Sequence, residues 1–253
     1  MLFHRGLSSS AARCRAECSA VGVGLRHTPY SDAMLPAADT WILDLDNTLY
    51  PPATGLADQM NTRIRAYLGK LFDADEAEAQ RLQAELVAEH GTTLRGLMNT
   101  RGIDPHDYLA WEHTIDYSVL RPDPALAAAL SSLPGRKLLF TNGSAYHADQ
   151  ALPRLGLDGL FDGVFDILAG QLVPKPYPES YQRFVDRFAV VPERAVFCDD
   201  LAVNLEVPEQ LGMTAVWVSG GPVAGPAAYE ELGLRRLRVW DLARFLHSLT
   251  SDD

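Results

Sequence analysis

The sequence is poor in cysteine, which limits what can hold the fold together. Its 253 residues contain three cysteines. Cys14 and Cys18 lie near the N-terminus without a second Cys/His pair at zinc spacing, and Cys198 ends an apolar run. A disulfide scaffold and a structural zinc site are therefore not expected. Reduced thiols are typical of cytoplasmic proteins, so we predict a cytoplasmic location.

The sequence also lacks long apolar runs and an excess of basic residues. No stretch approaches the roughly 18 consecutive apolar residues of a membrane-spanning helix. The net charge is −11, from 22 Lys and Arg against 33 Asp and Glu. Such a field repels nucleic-acid phosphates. We therefore expect neither a membrane nor a nucleic acid as partner. For the oligomeric state, we expect a monomer or a homodimer.

The N-terminal segment differs in composition from the rest of the chain. Residues 1–39 contain four arginines, few acids and several serines and glycines, which resembles a transit peptide weakly. However, Glu17 interrupts this pattern, and Met34 stands just before the first strand-like run. We predict that residues 1–39 are a disordered or over-extended start rather than a targeting segment.

From Thr40 onward, short apolar runs alternate with stretches of helical period. The runs fit strands that are buried on both faces of a parallel sheet. They lie at residues 41–43, 137–140, 164–168, 195–198 and 214–218. This alternation predicts an α/β fold with a doubly wound parallel sheet, in which ligands bind at the carboxyl ends of the strands.

A helical block interrupts the alternation after the first strand. Apolar residues at helical spacing predict one helix at about 56–68 and a second that ends near residue 90, and Asp104-Pro105 begins a third. We interpret this block as an inserted helical cap over the active edge of the sheet. The predicted organisation is a core at 40–55 and 119–253 and a cap at 56–118.

Polar segments that can carry chemistry lie at the ends of the predicted strands or on a neighbouring loop. They are the segments 44–48, 141–144, 175–176 and 198–200. Because parallel strands end at the same edge of a sheet, we expect the carboxylates and the hydroxyl group to converge there, while Lys175 lies on a neighbouring loop. Four converging carboxylates would raise one another's pKa, and Mg²⁺ is a hard cation that relieves this repulsion. The amides after Thr141, at a helix start, suit phosphate oxygens.

In this order, the four segments resemble the motifs of the haloacid dehalogenase-like hydrolases, over about residues 40–220. The strings WILDLDNTLYPP at 41–52 and TTLRGL at 92–97 also resemble the pyrimidine 5′-nucleotidase branch, whose cap is helical. The resemblance implies a Rossmann-like core with a helical cap. It also implies an Mg²⁺-dependent phosphomonoester hydrolase whose substrate is a small phosphorylated metabolite, namely a pyrimidine nucleoside 5′-monophosphate.

The resemblance further implies catalytic and phosphate-binding roles. Asp44 would attack phosphorus and form an aspartyl-phosphate. Asp46 would protonate the leaving alkoxide and then help to deprotonate the hydrolytic water. Thr141, Asn142 and Lys175 would bind the phosphoryl group.

The metal ligands implied by the resemblance are the Asp44 carboxylate, the Asp46 main-chain carbonyl and Asp200. Asp199 would assist directly or through water. The chain departs from the family's pattern where Asn204 replaces an acid four residues beyond Asp200. Asn204 can hydrogen-bond a metal-bound water but brings no charge.

Thr92, Thr93 and Arg95 are the candidate specificity residues of the cap. A polar, cationic cluster in an amphipathic helical block suits a nucleotide, so we expect these side chains to face the active edge. The alternative is that Arg95 is a solvated surface residue.

Other functions remain open at this stage. The substrate could be another small metabolite, such as a sugar phosphate or a lysolipid phosphate, and a phosphomutase would use the same core. A haloacid dehalogenase shares the nucleophile but needs neither the acid at Asp46 nor the metal ligand Asp200. A receiver-like signalling module would carry its phospho-accepting Asp on a later strand and would lack the helical insert.

Overall fold

The computed structural model describes residue 35 and residues 38–221, 229–233 and 235–250. The predicted disordered or over-extended start therefore lies almost entirely outside the described residues, as do Cys14 and Cys18. Within them, seven strands form one sheet. They are β1 (Thr40–Leu43), β2 (Arg136–Phe140), β3 (Gly163–Phe165), β4 (Ala195–Asp199), β5 (Thr214–Val218), β6 (Tyr229–Glu231) and β7 (Arg236–Val239).

The helices divide into an insert and the flanks of the sheet. The insert follows β1 and contains α1 (Leu56–Phe72), α2 (Glu76–His90), α3 (Thr93–Arg101) and α4 (Pro105–Glu112). The flanking helices are α5 (Pro124–Ser132), α6 (Ala145–Leu155), α7 (Pro178–Phe188), α8 (Glu206–Leu211) and α9 (Leu242–Ser248). In the part of the chain that the structure describes, every helix is too short or too polar to span a bilayer.

The strand order confirms the predicted doubly wound α/β fold. The order is β3-β2-β1-β4-β5-β7-β6, and each neighbouring pair is parallel except β6 with β7. The chain therefore moves outward from β1 to β2 and β3, and then returns to the other side of β1 as β4. This reversal beside β1 is the point at which open α/β sheets bind ligands.

Apolar side chains cover both faces of the sheet. Ile42 and Phe197 lie on one face and share a buried cluster with Phe184 of α7. Their neighbours along the strands, Leu43 and Cys198, lie on the opposite face, in a cluster with α5, α6 and α9. This alternation follows from the two-residue period of a strand. It explains why the strands appear in the sequence as continuous apolar runs.

The insert has its own apolar cluster and one more helix than predicted. Ile64, Leu97 and Tyr108 are buried together in this cluster, and Ile167 of the core joins them. The sequence predicted three helices here, but α3 is a fourth. It begins where the Thr92 side chain accepts a hydrogen bond from the third amide of the helix, a common N-terminal cap.

The third predicted strand is wrong in length. It was expected at 164–168, but β3 ends at Phe165. Asp166 ends it, because its carboxylate accepts hydrogen bonds from the amides of Ala145 (2.9 Å) and Ala169 (2.8 Å) and so turns the chain. The edge strands β6 and β7 were not predicted, since neither forms a long apolar run.

A close backbone approach fixes the start of β2 against the start of β1. Gly135 has φ +79°, and a Cβ atom there would lie 2.3 Å from the main-chain oxygen of Asp39. The same oxygen accepts a hydrogen bond of 2.9 Å from the amide of Arg136. The glycine therefore lets the strand entry pack directly on the neighbouring backbone.

We predict that Gly135→Ala lowers the free energy of unfolding by more than about 2 kcal/mol, because left-handed backbone alone costs about 1–2 kcal/mol and the clash adds to it. Urea unfolding measures this change. Gly102→Ala is the matched control, since Gly102 has φ +62° with open space around its Cβ position. Equal losses in the two variants would contradict the close approach.

Candidate active site

The site lies where three neighbouring strands end. β1 lies between β2 and β4, and its hydrogen bonding continues one residue further, from the Asp44 amide to the Cys198 carbonyl (2.9 Å). Asp44 therefore emerges between Thr141, which follows β2, and Asp199, which ends β4. The predicted meeting of polar side chains at this edge follows from the strand order.

Lys175 lies at the centre of this meeting point. Its Nζ atom donates hydrogen bonds to Asp44 Oδ1 (2.7 Å), Asp199 Oδ2 (2.6 Å) and the main-chain oxygen of Phe140 (2.8 Å). The lysine is only 2% exposed and Asp44 only 6%. The structure thus brings the predicted nucleophile, lysine and fourth-strand acid into direct contact.

One ammonium group is shared by two buried carboxylates. Burial raises the pKa of Asp44 well above its ordinary value, against the opposing effect of Lys175, and the charge of Asp199 raises it further. Burial also opposes the charge on Lys175, but Asp199 and Asp44 raise the pKa of its ammonium group above the usual range. The lysine therefore stays charged, and the site keeps an excess of carboxylate.

A third carboxylate makes this site fit a divalent cation. Oxygen atoms of Asp44, Asp199 and Asp200 lie within 4.8 Å of one another. Burial, and then the charge of Asp199, raise the pKa of Asp200 to about 6. Neighbouring carboxylates repel one another when they are all ionised, and a hard ion such as Mg²⁺, which prefers oxygen ligands, relieves this repulsion.

The members of this carboxylate group have different surroundings. Asp199 Oδ1 accepts hydrogen bonds from the Leu201 amide and the Asn204 side chain (both 2.9 Å), while Oδ2 binds Lys175. Asn204 thus contacts Asp199 directly. A hydrogen bond from Asn204 to a metal-bound water stays a prediction. Asp200 Oδ2 accepts one long hydrogen bond of 3.3 Å from Asn47, which leaves it greater capacity for an ion.

The Asp46 side chain is not part of the three-carboxylate group and has partners of its own. Its Oδ1 atom accepts hydrogen bonds from His147 Nε2 (2.7 Å) and from the Tyr50 hydroxyl group. Burial alone would raise the pKa of Asp46, but the charge and hydrogen bond of His147, with the bond from Tyr50, lower it below its ordinary value. Against burial, Asp46 raises the pKa of His147. Sequence reasoning singled out neither partner.

A second layer of contacts holds His147 in place. Its Nδ1 atom lies 2.9 Å from the Tyr117 hydroxyl group, and its ring stacks on His113 at 4.6 Å between centroids. His113 Nδ1 lies in turn 3.0 Å from the Ser144 hydroxyl group. Burial, assisted by His147, lowers the pKa of His113 to about 3, so this ring is neutral at neutral pH. His113 and Tyr117 both lie in the segment that leads from α4 back to the core.

The predicted phosphate-binding residues have two kinds of environment. Thr141 is buried at the site, and its hydroxyl group accepts a 2.9 Å hydrogen bond from the Gly143 amide. The Asn142 side chain instead pairs with the main chain of Lys175, accepting at 2.8 Å and donating at 3.1 Å. Asn142 thereby holds the loop that carries Lys175, residues 173–177, which we call the lysine loop. Its position in the sequence did not reveal this role.

The three candidate specificity residues of the insert also separate. Thr92 caps α3 and Thr93 is buried. The Arg95 guanidinium group stacks on the ring of Tyr177, with 4.0 Å between its central carbon and the ring centroid. Since Tyr177 follows Lys175 by two residues, Arg95 joins the insert to the lysine loop.

We predict that Lys175→Met lowers the free energy of unfolding by about 3–5 kcal/mol at about pH 7, because it leaves buried carboxylates without their cation. In this variant the carboxylates have a higher pKa in the folded state than in the unfolded state. The folded protein then binds more protons, so stability rises as the pH falls through that pKa.

The deficit relative to the unmodified protein should therefore be smaller at about pH 5 than at about pH 7. Urea unfolding at both values measures it. Lys137→Met, on β2, is the control and should show little loss. A deficit that does not depend on pH would contradict the proposed shared ammonium.

Comparisons with known proteins agree with this geometry. Residues 38–212 match the family of haloacid dehalogenase-like hydrolases. The chain is 30% identical over 200 residues to phosphate metabolism protein 8 of Saccharomyces cerevisiae, a match that covers 70% of this chain and 60% of that protein. It is 29% identical over 196 residues to glyceraldehyde 3-phosphate phosphatase of Methanopyrus kandleri, covering 71% and 83%.

A solved structure shows the same fold. The haloacid dehalogenase-like phosphatase of Thermococcus onnurineus superposes with a TM-score of 0.54 at 19% identity, covering 83% of this chain and 95% of that one. The family match spans more than half of the chain and includes the segments 44–48, 141–144, 175–176 and 198–200. The chain belongs to the haloacid dehalogenase-like hydrolases.

Proposed function

We propose that this chain is an Mg²⁺-dependent phosphomonoester hydrolase that acts through an aspartyl-phosphate on Asp44, with a pyrimidine nucleoside 5′-monophosphate as substrate. The observation that carries the proposal is the 2.7 Å contact of Asp44 with Lys175, beside a group of three carboxylates. This arrangement supplies a nucleophile, a cation for phosphoryl oxygens and ligands for a metal ion. Relatives that are named as phosphatases support the same reaction class.

The first step transfers the phosphoryl group to the protein. The Asp44 carboxylate attacks phosphorus, the ester P–O bond breaks, and its electron pair leaves with the alkoxide oxygen. Lys175 and Thr141 hold the transferring oxygens. Mg²⁺ bound by the Asp44 and Asp200 carboxylates, with the Asp46 main-chain carbonyl and Asp199, would offset the negative charge of the phosphate.

Asp46 handles the protons of both steps. It gives a proton to the leaving alkoxide, and it takes one from the water that hydrolyses the aspartyl-phosphate. In the free protein, His147 and Tyr50 keep its pKa low. A phosphate dianion beside it would raise that pKa again, so substrate binding favours its acid form. A dehalogenase would have no use for this proton, which is why the placement of Asp46 supports a phosphatase.

The insert supports the choice of a nucleotide. We infer that residues 56–118 act as a cap and that Arg95 contacts the substrate. The Nη1 atom of Arg95 is buried and, among the described residues, has no hydrogen-bond partner. An unpaired buried donor is costly, so an oxygen of a bound ligand would satisfy it. The carbonyl oxygens of a pyrimidine base are acceptors of the required kind.

We predict that the protein releases phosphate from p-nitrophenyl phosphate, and that EDTA abolishes the activity until Mg²⁺ is restored. Asp44→Asn should lose turnover because the amide is not a nucleophile, while its circular dichroism spectrum stays native. Asp158→Asn, at an exposed position, is the matched control and should keep full activity. Turnover by Asp44→Asn would require another nucleophile.

We predict that Arg95→Ala raises the KM for UMP and CMP by roughly 10- to 100-fold, since a hydrogen bond from a charged group contributes about 1.5–3 kcal/mol. Steady-state kinetics measure the change. Arg81→Ala is the control, because Arg81 pairs with Glu78 and Glu85 on the exposed side of α2. Unchanged KM values, or a clear preference for sugar phosphates in a metabolite screen, would overturn the nucleotide assignment.

A further inference from the structure

We propose that His147 and Tyr50 are positioning residues for Asp46. They hold one carboxylate oxygen so that the other faces the bound phosphate ester and the hydrolytic water. The proposal rests on the proposed phosphatase function and deepens it, because it names the side chains that make the general acid–base group effective.

The hydrogen bonds to Asp46 converge on a single atom. Both His147 Nε2 and the Tyr50 hydroxyl group bind Oδ1. Their donors come from different elements, since Tyr50 follows β1 and His147 lies in α6. Two donors from separate directions fix the rotation of the carboxyl group. Oδ2 is then the oxygen available for proton transfer, and proton transfer requires a fixed direction and a short distance.

The orientation of His147 is itself determined by its neighbours. The side chain is fully buried, and the Tyr117 hydroxyl group lies 2.9 Å from its Nδ1 atom. An ionised carboxylate can only accept hydrogen bonds, so Nε2 carries the proton that points to Asp46 whether the ring is neutral or charged. The stacked ring of His113 prevents rotation out of this plane. These contacts, which we call the brace of Asp46, comprise Tyr50, His147, Tyr117 and His113. The last two lie in the segment that connects the insert to the core.

Positioning of Asp46 should affect the two chemical steps differently for different leaving groups. p-Nitrophenolate leaves without protonation, so formation of the aspartyl-phosphate does not need Asp46. Hydrolysis of that intermediate does need it, because a water proton must go to the carboxylate. Loss of the brace should therefore slow only the second step with p-nitrophenyl phosphate. With UMP, whose leaving group is an alkoxide, both steps should slow.

The test is pre-steady-state kinetics of Tyr50→Phe and His147→Leu with p-nitrophenyl phosphate and Mg²⁺. We expect kcat to fall roughly 100-fold, as for loss of general acid–base catalysis. We also expect kcat/KM to stay close to that of the unmodified protein, with a burst of p-nitrophenolate equal to the number of sites. With UMP, kcat/KM should fall roughly 100-fold as well. His147→Gln, whose amide can replace Nε2–H, should recover part of the loss.

Tyr108→Phe removes a hydroxyl group from another buried tyrosine, in the insert, and should show no burst. Tyr50→Phe conserves volume and decides the matter if His147→Leu does not fold. Equal falls in kcat and kcat/KM without a burst would reveal a purely structural role and overturn the proposal. The proposal would also be overturned if the unmodified protein is active and the Tyr50 and His147 variants have the same kinetics. If the unmodified protein releases no phosphate, the proposed function itself fails.

Discussion

A single buried ammonium group ties together the ends of three strands. Nζ of Lys175 binds Asp44 after β1, Asp199 at the end of β4 and the carbonyl group of Phe140 at the end of β2. Burial of a charge is costly unless it is paired, so the lysine loop must be held accurately. The two hydrogen bonds between Asn142 and the Lys175 main chain provide that accuracy. Asp44, the proposed nucleophile, is therefore held in place by protein contacts alone.

The proposed phosphate binding must be reconciled with an acidic chain. Across the whole sequence, acids exceed bases by 11. At the site, three carboxylates lie together with one ammonium group, which pairs with two of them, and the pKa of Asp44 and of Asp200 is raised. A divalent cation would reverse the sign of the local field, independently of the net charge of the surface. The acidic composition thus disfavours nucleic acids as partners of the surface, but it is compatible with the proposed phosphate chemistry at the edge of the sheet.

The sequence predicted the residues that sit directly after strands and missed those that act from elsewhere. Asp44 and Asp199 could be placed together because parallel strands end at one edge, whatever their side chains contact. Lys175 could be placed with them only through the family resemblance. His147 was not predicted, because its role depends on the direction of a helix face toward Asp46. Asn142 was assigned to phosphate, since its position does not reveal that it pairs with a neighbouring loop.

The two acids of the first motif have opposite electrostatic environments, although they are two residues apart. Burial and like charge raise the pKa of Asp44, whereas His147 and Tyr50 lower that of Asp46. Pairs of acids that are shifted in this way take different roles. In the proposed mechanism Asp44 must be ionised to attack phosphorus, so it would need more positive charge than Lys175 alone provides. The ionised form of Asp46 is stabilised by the side chains of His147 and Tyr50. The proposed dependence on a metal ion would therefore arise from Asp44, whereas hydrogen bonds from His147 and Tyr50 already stabilise the Asp46 carboxylate.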